Sequence, residues 1–275
     1  MVLLLDLMGA LLPLLYCVAA INYGVYFVRK DPFAERTCTR LLVAVVSLHL
    51  VFLLLRVFIL ERFPIATLAE MFSVVAFAIA AVYLYVEKVQ GSKSTGTFII
   101  ALVTVMQLAA STLLPHAGAV KSEYLKSPLF SLHTLSAVLG YSAFAVGAVY
   151  GVMFLLLYRA LKRKTFGLMF DRLPSLDSLA SMAFGATLLG WMFLTVTMII
   201  GTVMGVSAVP HFYRDAQFVA TLGVWGLYSV AIGAYYFLGW RGARMVYFSL
   251  FGFVLAVAAV LGSHFVFTSF HVFSA

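Results

Sequence analysis

The sequence predicts an all-α, polytopic membrane protein with about eight transmembrane helices. Of its 275 residues, 64% are hydrophobic and only 10% are charged, and the mean hydropathy is +1.08. Soluble domains do not have this composition. The apolar residues form eight runs, each long enough to cross the hydrocarbon core, which takes about 20 residues. Helices are expected because a backbone in lipid must satisfy its own hydrogen bonds.

The eight runs follow one another with short connections, which predicts a single transmembrane domain over residues 1–275. The longest polar stretch, residues 159–177, is only a connector. The amino-terminal run lacks a basic leading region and contains Asp6, so it is expected to be a first spanning helix and not a cleaved signal. The predicted spans are 3–27, 41–60, 65–87, 96–114, 130–158, 177–206, 216–239 and 245–272.

The basic residues indicate the orientation in the membrane. The formal net charge is +8, and alternate loops carry 13 of the 18 Lys and Arg residues. In a membrane protein, such an excess marks cytoplasmic loops, so it does not indicate a nucleic-acid partner. The chain is therefore expected in the plasma (inner) membrane, in contact with lipid, with both termini outside. The loops expected in the cytoplasm are 28–40, 88–95, 159–176 and 240–244.

The two cysteines and the polar residues do not form a known catalytic pattern. Cys17 and Cys38 make no CxxC motif, so neither a disulfide framework nor a zinc site is implied. The sequence has no recognisable nucleophile, acid–base pair or nucleotide motif. It is therefore not expected to be an independent enzyme.

The histidines gather at one predicted membrane face, the outer one. His133 opens the fifth apolar run, whereas His264 and His271 lie near the end of the eighth. His49 alone falls in the middle of a span. Opposed imidazoles on two helices can hold a haem iron, so His133 and His271 are candidate axial ligands if their helices face each other. The alternative is that these histidines are interfacial polar residues facing lipid headgroups.

Four segments carry a resemblance to a known family. In order along the chain they are RFPIATLAEMF (62–72), SLHTLSAVLGYSAFAVGAVYGVMFLLL (131–157), LPSLDSLASMAFGATLLGWMFLTVTMIIGTVMG (173–205) and GSHFVFTSFHVF (262–273). Together they resemble the cytochrome c assembly family of membrane haem-handling proteins, of the CcsA and CcmC type, most strongly over residues 60–275. The resemblance implies haem as the cofactor, with His133 and His271 matching the family's two external histidines.

Two family features have no match in this sequence, the tryptophan-rich platform for haem and the membrane histidine expected near the end of the seventh helix, where YYFLGWRG (235–242) contains none. The family's tryptophan-rich platform for haem should lie in the loop at 206–217, which reads VSAVPHFYRDAQ and retains only Phe212, Tyr213 and Asp215 of an aromatic and acidic pattern. This loop and the Phe-His ending resemble the HemX branch of shorter, eight-helix proteins. The branch implies a link to haem biosynthesis, with other cytochrome c assembly or haem-biosynthesis proteins as partners.

Four other residues are candidates for cofactor contact. His264 could be an alternative ligand or a satisfied histidine within the bundle, and His211 could cover a haem edge or be a solvated loop residue. Arg62 could pair with haem propionates, as could Arg56. Arg62 could equally pair with Glu61 or Glu70, or extend to lipid headgroups.

The residues and the resemblance together predict a membrane haem-handling protein that binds or presents haem at the outer face. Two other functions stay open. One is a b-type cytochrome anchor of a quinol-linked electron-transfer complex, for which His49 is the only histidine at mid-depth. The other is a haem-free regulatory or structural membrane subunit.

Overall fold

The computed structural model describes residues 2–91, 93–113, 127–208 and 211–265, and this part of the chain is helical without a β-strand. A 3-10 turn, Phe212–Arg214, precedes the eighth helix. The α-helices, labelled in chain order, are α1 (Val2–Arg29), α2 (Pro32–Leu60), α3 (Leu68–Gln90), α4 (Gly96–Leu113), α5 (Pro128–Lys162), α6 (Leu168–Arg172), α7 (Leu176–Ala208), α8 (Ala216–Phe237) and α9 (Ala243–Phe265).

Eight of these helices are long and apolar enough to cross a membrane, which confirms the predicted fold class. Only the short α6 is not a candidate span. The helices begin and end within a few residues of the predicted runs, except that α2 begins at Pro32, nine residues before the predicted run at 41–60. Residues 266–272 of the last run lie outside the described residues.

The helices form two compact units. The first contains α1 to α4 with the α6 segment, and within it α1 packs against α2 and α4, while α3 packs against α4 and α2. The second contains α5, α7, α8 and α9, and within it α5 packs against α7 and α9, while α8 packs against α9. The prediction of one transmembrane domain over 1–275 stays a prediction.

Local sequence explains where several helices begin. Asp31 accepts a hydrogen bond from the Ala34 amide, 2.8 Å away, and Pro32 occupies the first helical position of α2. Thr67 caps α3 by accepting from the Glu70 amide at 3.2 Å. The Thr67 cap places Glu70 in the first turn of α3, where the helix dipole favours a carboxylate.

Small residues let α5 and α7 approach closely within the second unit. A Cβ atom added to Gly140 would lie 3.2 Å from the Gly190 carbonyl oxygen, and one added to Gly190 would overlap the Phe144 ring at 2.5 Å. Lipid is as apolar as leucine, so packing between membrane helices relies on such close contacts. The resulting α5–α7 contact positions the candidate site described next.

Candidate functional site

His133 lies near the amino terminus of α5, half-buried, and its imidazole is held by α7. Its Nδ1 atom is 3.0 Å from the main-chain oxygen of Thr197. A carbonyl oxygen can only accept, so Nδ1 carries the hydrogen and donates it. In the neutral ring, the lone pair is then on Nε2. Histidines that bind metals commonly have this arrangement, in which a hydrogen bond from one ring nitrogen orients the other.

Two residues of α7 define the position of this imidazole. A Cβ atom at Gly201 would lie 2.7 Å from the His133 Cε1 atom and 3.1 Å from Nδ1, so glycine leaves the space that the ring fills. The Thr197 hydroxyl lies 2.9 Å from the Ser136 hydroxyl, which adds a second polar link between the helices. Sequence reasoning did not single out Thr197 or Gly201; the only signal was a glycine near the end of the family-like segment at 173–205.

The register between α5 and α9 indicates which part of α9 lies level with His133. A Cβ atom at Gly147 would be 3.3 Å from the Ser249 hydroxyl, and one at Gly151 would be 3.1 Å from Leu250 and 3.4 Å from Val246, so the middle of α5 packs against the first two turns of α9. As the fifth and eighth candidate spans, α5 and α9 cross the membrane in opposite directions. His133 is 14 residues before Gly147, about 21 Å along the helix. Counting the same number forward from Ser249 reaches residue 263. The first turns of α5, which carry His133, therefore lie level with the carboxyl-terminal end of the described part of α9.

His271 lies outside the described residues, as does the side chain of His264. The expected sharing of one iron by His133 and His271 therefore stays a prediction.

The loop with His211 is anchored by its aromatic neighbour. Phe212 is buried against α7, where a Cβ atom at Gly205 would lie 2.1 Å from the Phe212 ring. Asp215 caps α8 by accepting from the Phe218 amide at 3.0 Å. Phe212 and Asp215, two of the three residues that remain of the aromatic and acidic pattern, thus have local structural roles. His211 itself is exposed and adopts a left-handed backbone conformation with φ of 57°.

Arg62 belongs to the first unit, where it forms a two-pronged ion pair with Glu70. Its Nη1 and Nη2 atoms lie 2.9 and 3.1 Å from the two carboxylate oxygens, and Nη1 also donates to the Phe63 carbonyl at 3.0 Å. Both side chains are buried. Among the partners that the sequence left open for Arg62, the structure selects Glu70. Contact between Arg62 and a cofactor stays a prediction.

His49 is fully buried in the first unit, within a chain of hydrogen bonds. The Ser73 hydroxyl donates to the Gln107 side-chain oxygen at 3.2 Å, so it accepts from His49 Nε2 at 3.0 Å. His49 Nδ1 then accepts from the Tyr16 hydroxyl, also 3.0 Å away. Both ring nitrogens have protein partners, which is the arrangement of a link between helices. This geometry disfavours a b-type cytochrome anchor that relies on His49 as an iron ligand.

The fold and the site define a class, an eight-span α-helical membrane protein with an oriented histidine at one end of its second unit. The family model described as "Cytochrome C assembly protein" matches residues 6–271. This match covers nearly the whole sequence, so the chain belongs to the cytochrome c assembly family. The resemblance inferred from the four segments is thereby confirmed.

Three relatives indicate the branch. The chain is 25% identical to Protein HemX of Brevibacillus brevis over 262 residues, which are 94% of each protein. It is 23% identical to the cytochrome c biogenesis protein CcsA of Heterosigma akashiwo over 244 residues, or 76% of each. It is 26% identical to the inner membrane protein YpjD of Escherichia coli over 187 residues, 64% of this chain and 66% of that protein.

Together, the family and these relatives support a HemX-like branch of the superfamily and a role in cytochrome c biogenesis or haem handling. They also support a multi-pass membrane location, as predicted from composition.

Proposed function

We propose that this protein binds haem at the outer face of the membrane and presents it to a partner, with His133 as one axial ligand. The observation that carries the proposal is the hydrogen bond from His133 Nδ1 to the Thr197 carbonyl, 3.0 Å long. It leaves the lone pair of the neutral ring on Nε2, and an imidazole nitrogen is a common axial ligand of haem iron. This orientation of the ring supports a ligand role for His133.

His264 and His271 are the candidates for the second ligand. His264 is supported by its position in the carboxyl-terminal part of α9, a helix that packs against α5. The family resemblance favours His271. Bound haem would supply the iron, and two imidazoles of the protein would bind it. The protein orients those two rings. The loop at 206–217 contains no tryptophan, so stacking on the macrocycle is reduced and binding is weak or transient.

The outer location follows from the loop charges. With 13 of 18 basic residues in alternate loops, the positive-inside rule puts the amino terminus of α5 and the carboxyl terminus of α9 outside. The partners we propose are membrane lipid, haem, and other cytochrome c assembly or haem-biosynthesis proteins. In this role the protein hands haem on and is not itself an enzyme.

Titration of the purified protein with haemin tests the proposal, with the Soret band as the readout. We expect His133→Ala to lower the affinity at least tenfold, because an axial ligand is lost. We expect either His264→Ala or His271→Ala to do the same, and that result identifies the second ligand. His116→Ala serves as the matched control, since His116 is not among the candidate ligands, and it is expected to keep the wild-type affinity.

Two outcomes would contradict the proposal. If His133→Ala keeps the wild-type spectrum and affinity, His133 is not a ligand. If the wild-type protein shows no Soret band after haem is added, the alternative of a haem-free regulatory or structural subunit replaces haem presentation.

A further inference from the structure

The first unit contains a buried cluster with more positive than negative charge. Glu70 lies 2.8 Å from Arg56 Nη2 and 2.9 Å from Arg62 Nη1, so two guanidinium groups share one carboxylate. Among the described residues, Glu70 is the only carboxylate within 4 Å of either arginine. The side chains of Arg56 and Arg62 are only 12% and 7% exposed. An uncompensated charge is costly in such surroundings, so the cluster favours a further anion.

The carboxylate of Glu70 has no capacity left for another donor. Its Oε1 accepts from Arg56 Nη2 and Arg62 Nη2, whereas its Oε2 accepts from Arg62 Nη1 and the Ala66 amide. A carboxylate offers about four lone-pair positions, and all four are in use. Arg56 Nε is buried and has no hydrogen-bond partner in the protein. A buried N–H of this kind needs an acceptor, and that acceptor must come from outside the cluster.

Arg56 and Glu70 line a recess that could admit such an acceptor. The other polar wall is Ser73, whose hydroxyl is held by His49 and Gln107, and the remaining walls are apolar. The free space is narrow, about 10 Å³, which is about what one water-sized group needs. One oxygen atom of an oxyanion fits, and the rest of the ligand then lies outside the recess.

We propose that this recess is a binding site for an oxyanion, a phosphate or a carboxylate, which accepts from Arg56 and balances the excess charge. Guanidinium groups recognise these anions through charge-assisted hydrogen bonds. The anion comes either from the headgroup of an acidic lipid or from solution. The site lies wholly within the first unit, and its test does not depend on whether His133 binds haem.

The experiment compares the thermal unfolding of the full-length protein in phosphatidylcholine nanodiscs under two additions. One arm adds inorganic phosphate at constant ionic strength, and the other replaces part of the lipid with phosphatidylglycerol. Ligand that binds only the folded state raises Tm, by roughly 3–6 °C at a tenfold excess over Kd. Arg56→Gln should abolish most of the rise, because Arg62 and Glu70 then form a neutral pair.

Arg36→Gln is the matched control. It removes the same charge from an exposed position near the other end of α2, and it should keep the full rise in Tm. A rise with phosphate alone identifies a free anion, and a rise with phosphatidylglycerol alone identifies a lipid headgroup. No rise in either arm means that the recess holds only water and overturns the proposal. An equal rise in wild type and Arg56→Gln overturns it as well.

A second measurement needs no variant. Native mass spectrometry of the wild-type protein purified with phosphatidylglycerol should retain bound lipid or phosphate. If the protein releases both as readily as it releases phosphatidylcholine, the site does not select an anion.

Discussion

The substitution Gly201→Ala tests how the His133 imidazole is positioned without removing the imidazole itself. The new Cβ atom would lie 2.7 Å from Cε1 and 3.1 Å from Nδ1 of His133. Ordinary contacts between carbon atoms are about 3.5–4.0 Å. The ring must therefore move by close to 1 Å, because the helix backbone of α7 on the other side is held by its own hydrogen bonds.

A displacement of this size breaks the 3.0 Å hydrogen bond from Nδ1 to the Thr197 carbonyl. Residues that orient a metal ligand through its second nitrogen typically contribute about 10–100-fold to affinity. We therefore expect Gly201→Ala to weaken haem binding by roughly 10–100-fold, or about 1.4–2.8 kcal/mol. The Soret maximum should also shift, because the remaining ligand geometry differs.

The assay is haemin titration of wild type, Gly201→Ala and Gly185→Ala. Gly185 lies on the same helix, and a Cβ atom there meets nothing within 4 Å, so this variant controls for an added methyl group in α7. Gly185→Ala should bind haem as the wild type does. The reasoning is refuted if Gly201→Ala folds with an unchanged Tm and binds haem with wild-type affinity and spectrum, while His133→Ala loses binding.

Three further predictions concern the first unit and the topology. Tyr16→Phe removes the donor to the buried His49 Nδ1 and should lower the free energy of unfolding by about 1–3 kcal/mol. Tyr85→Phe, at an exposed position, should leave that free energy unchanged. Equal Tm values for the two variants would contradict a stabilising hydrogen bond from Tyr16 to His49. Glu70→Gln leaves two buried guanidinium groups without a carboxylate and should cost about 3–5 kcal/mol in the same measurement. A reporter fused at Ala275 should be active outside the membrane, and cytoplasmic activity would invert the proposed orientation.

The sequence by itself determined the membrane class, the number of spans and the family. Each span is recognised from its own local hydropathy, and the loops between spans from their charge, so neither requires knowledge of neighbouring helices. The order of four family-like segments sufficed for the resemblance that the family match over 6–271 confirms. The eight-residue spacing of Arg62 and Glu70 put their ion pair among the alternatives before the structure selected it.

Only the tertiary structure decided which atoms these side chains contact. The acceptor for His133 is Thr197, 64 residues away in the chain, and the partners of His49 come from α1 and α3. Such contacts depend on the rotation and register of each helix. A membrane helix is apolar on its lipid-facing side and on its protein-facing side alike, so hydropathy does not reveal which face packs inward. For this reason, hydropathy predicts the depth of each histidine, whereas the tautomers and partners of His49 and His133 required the packed helices.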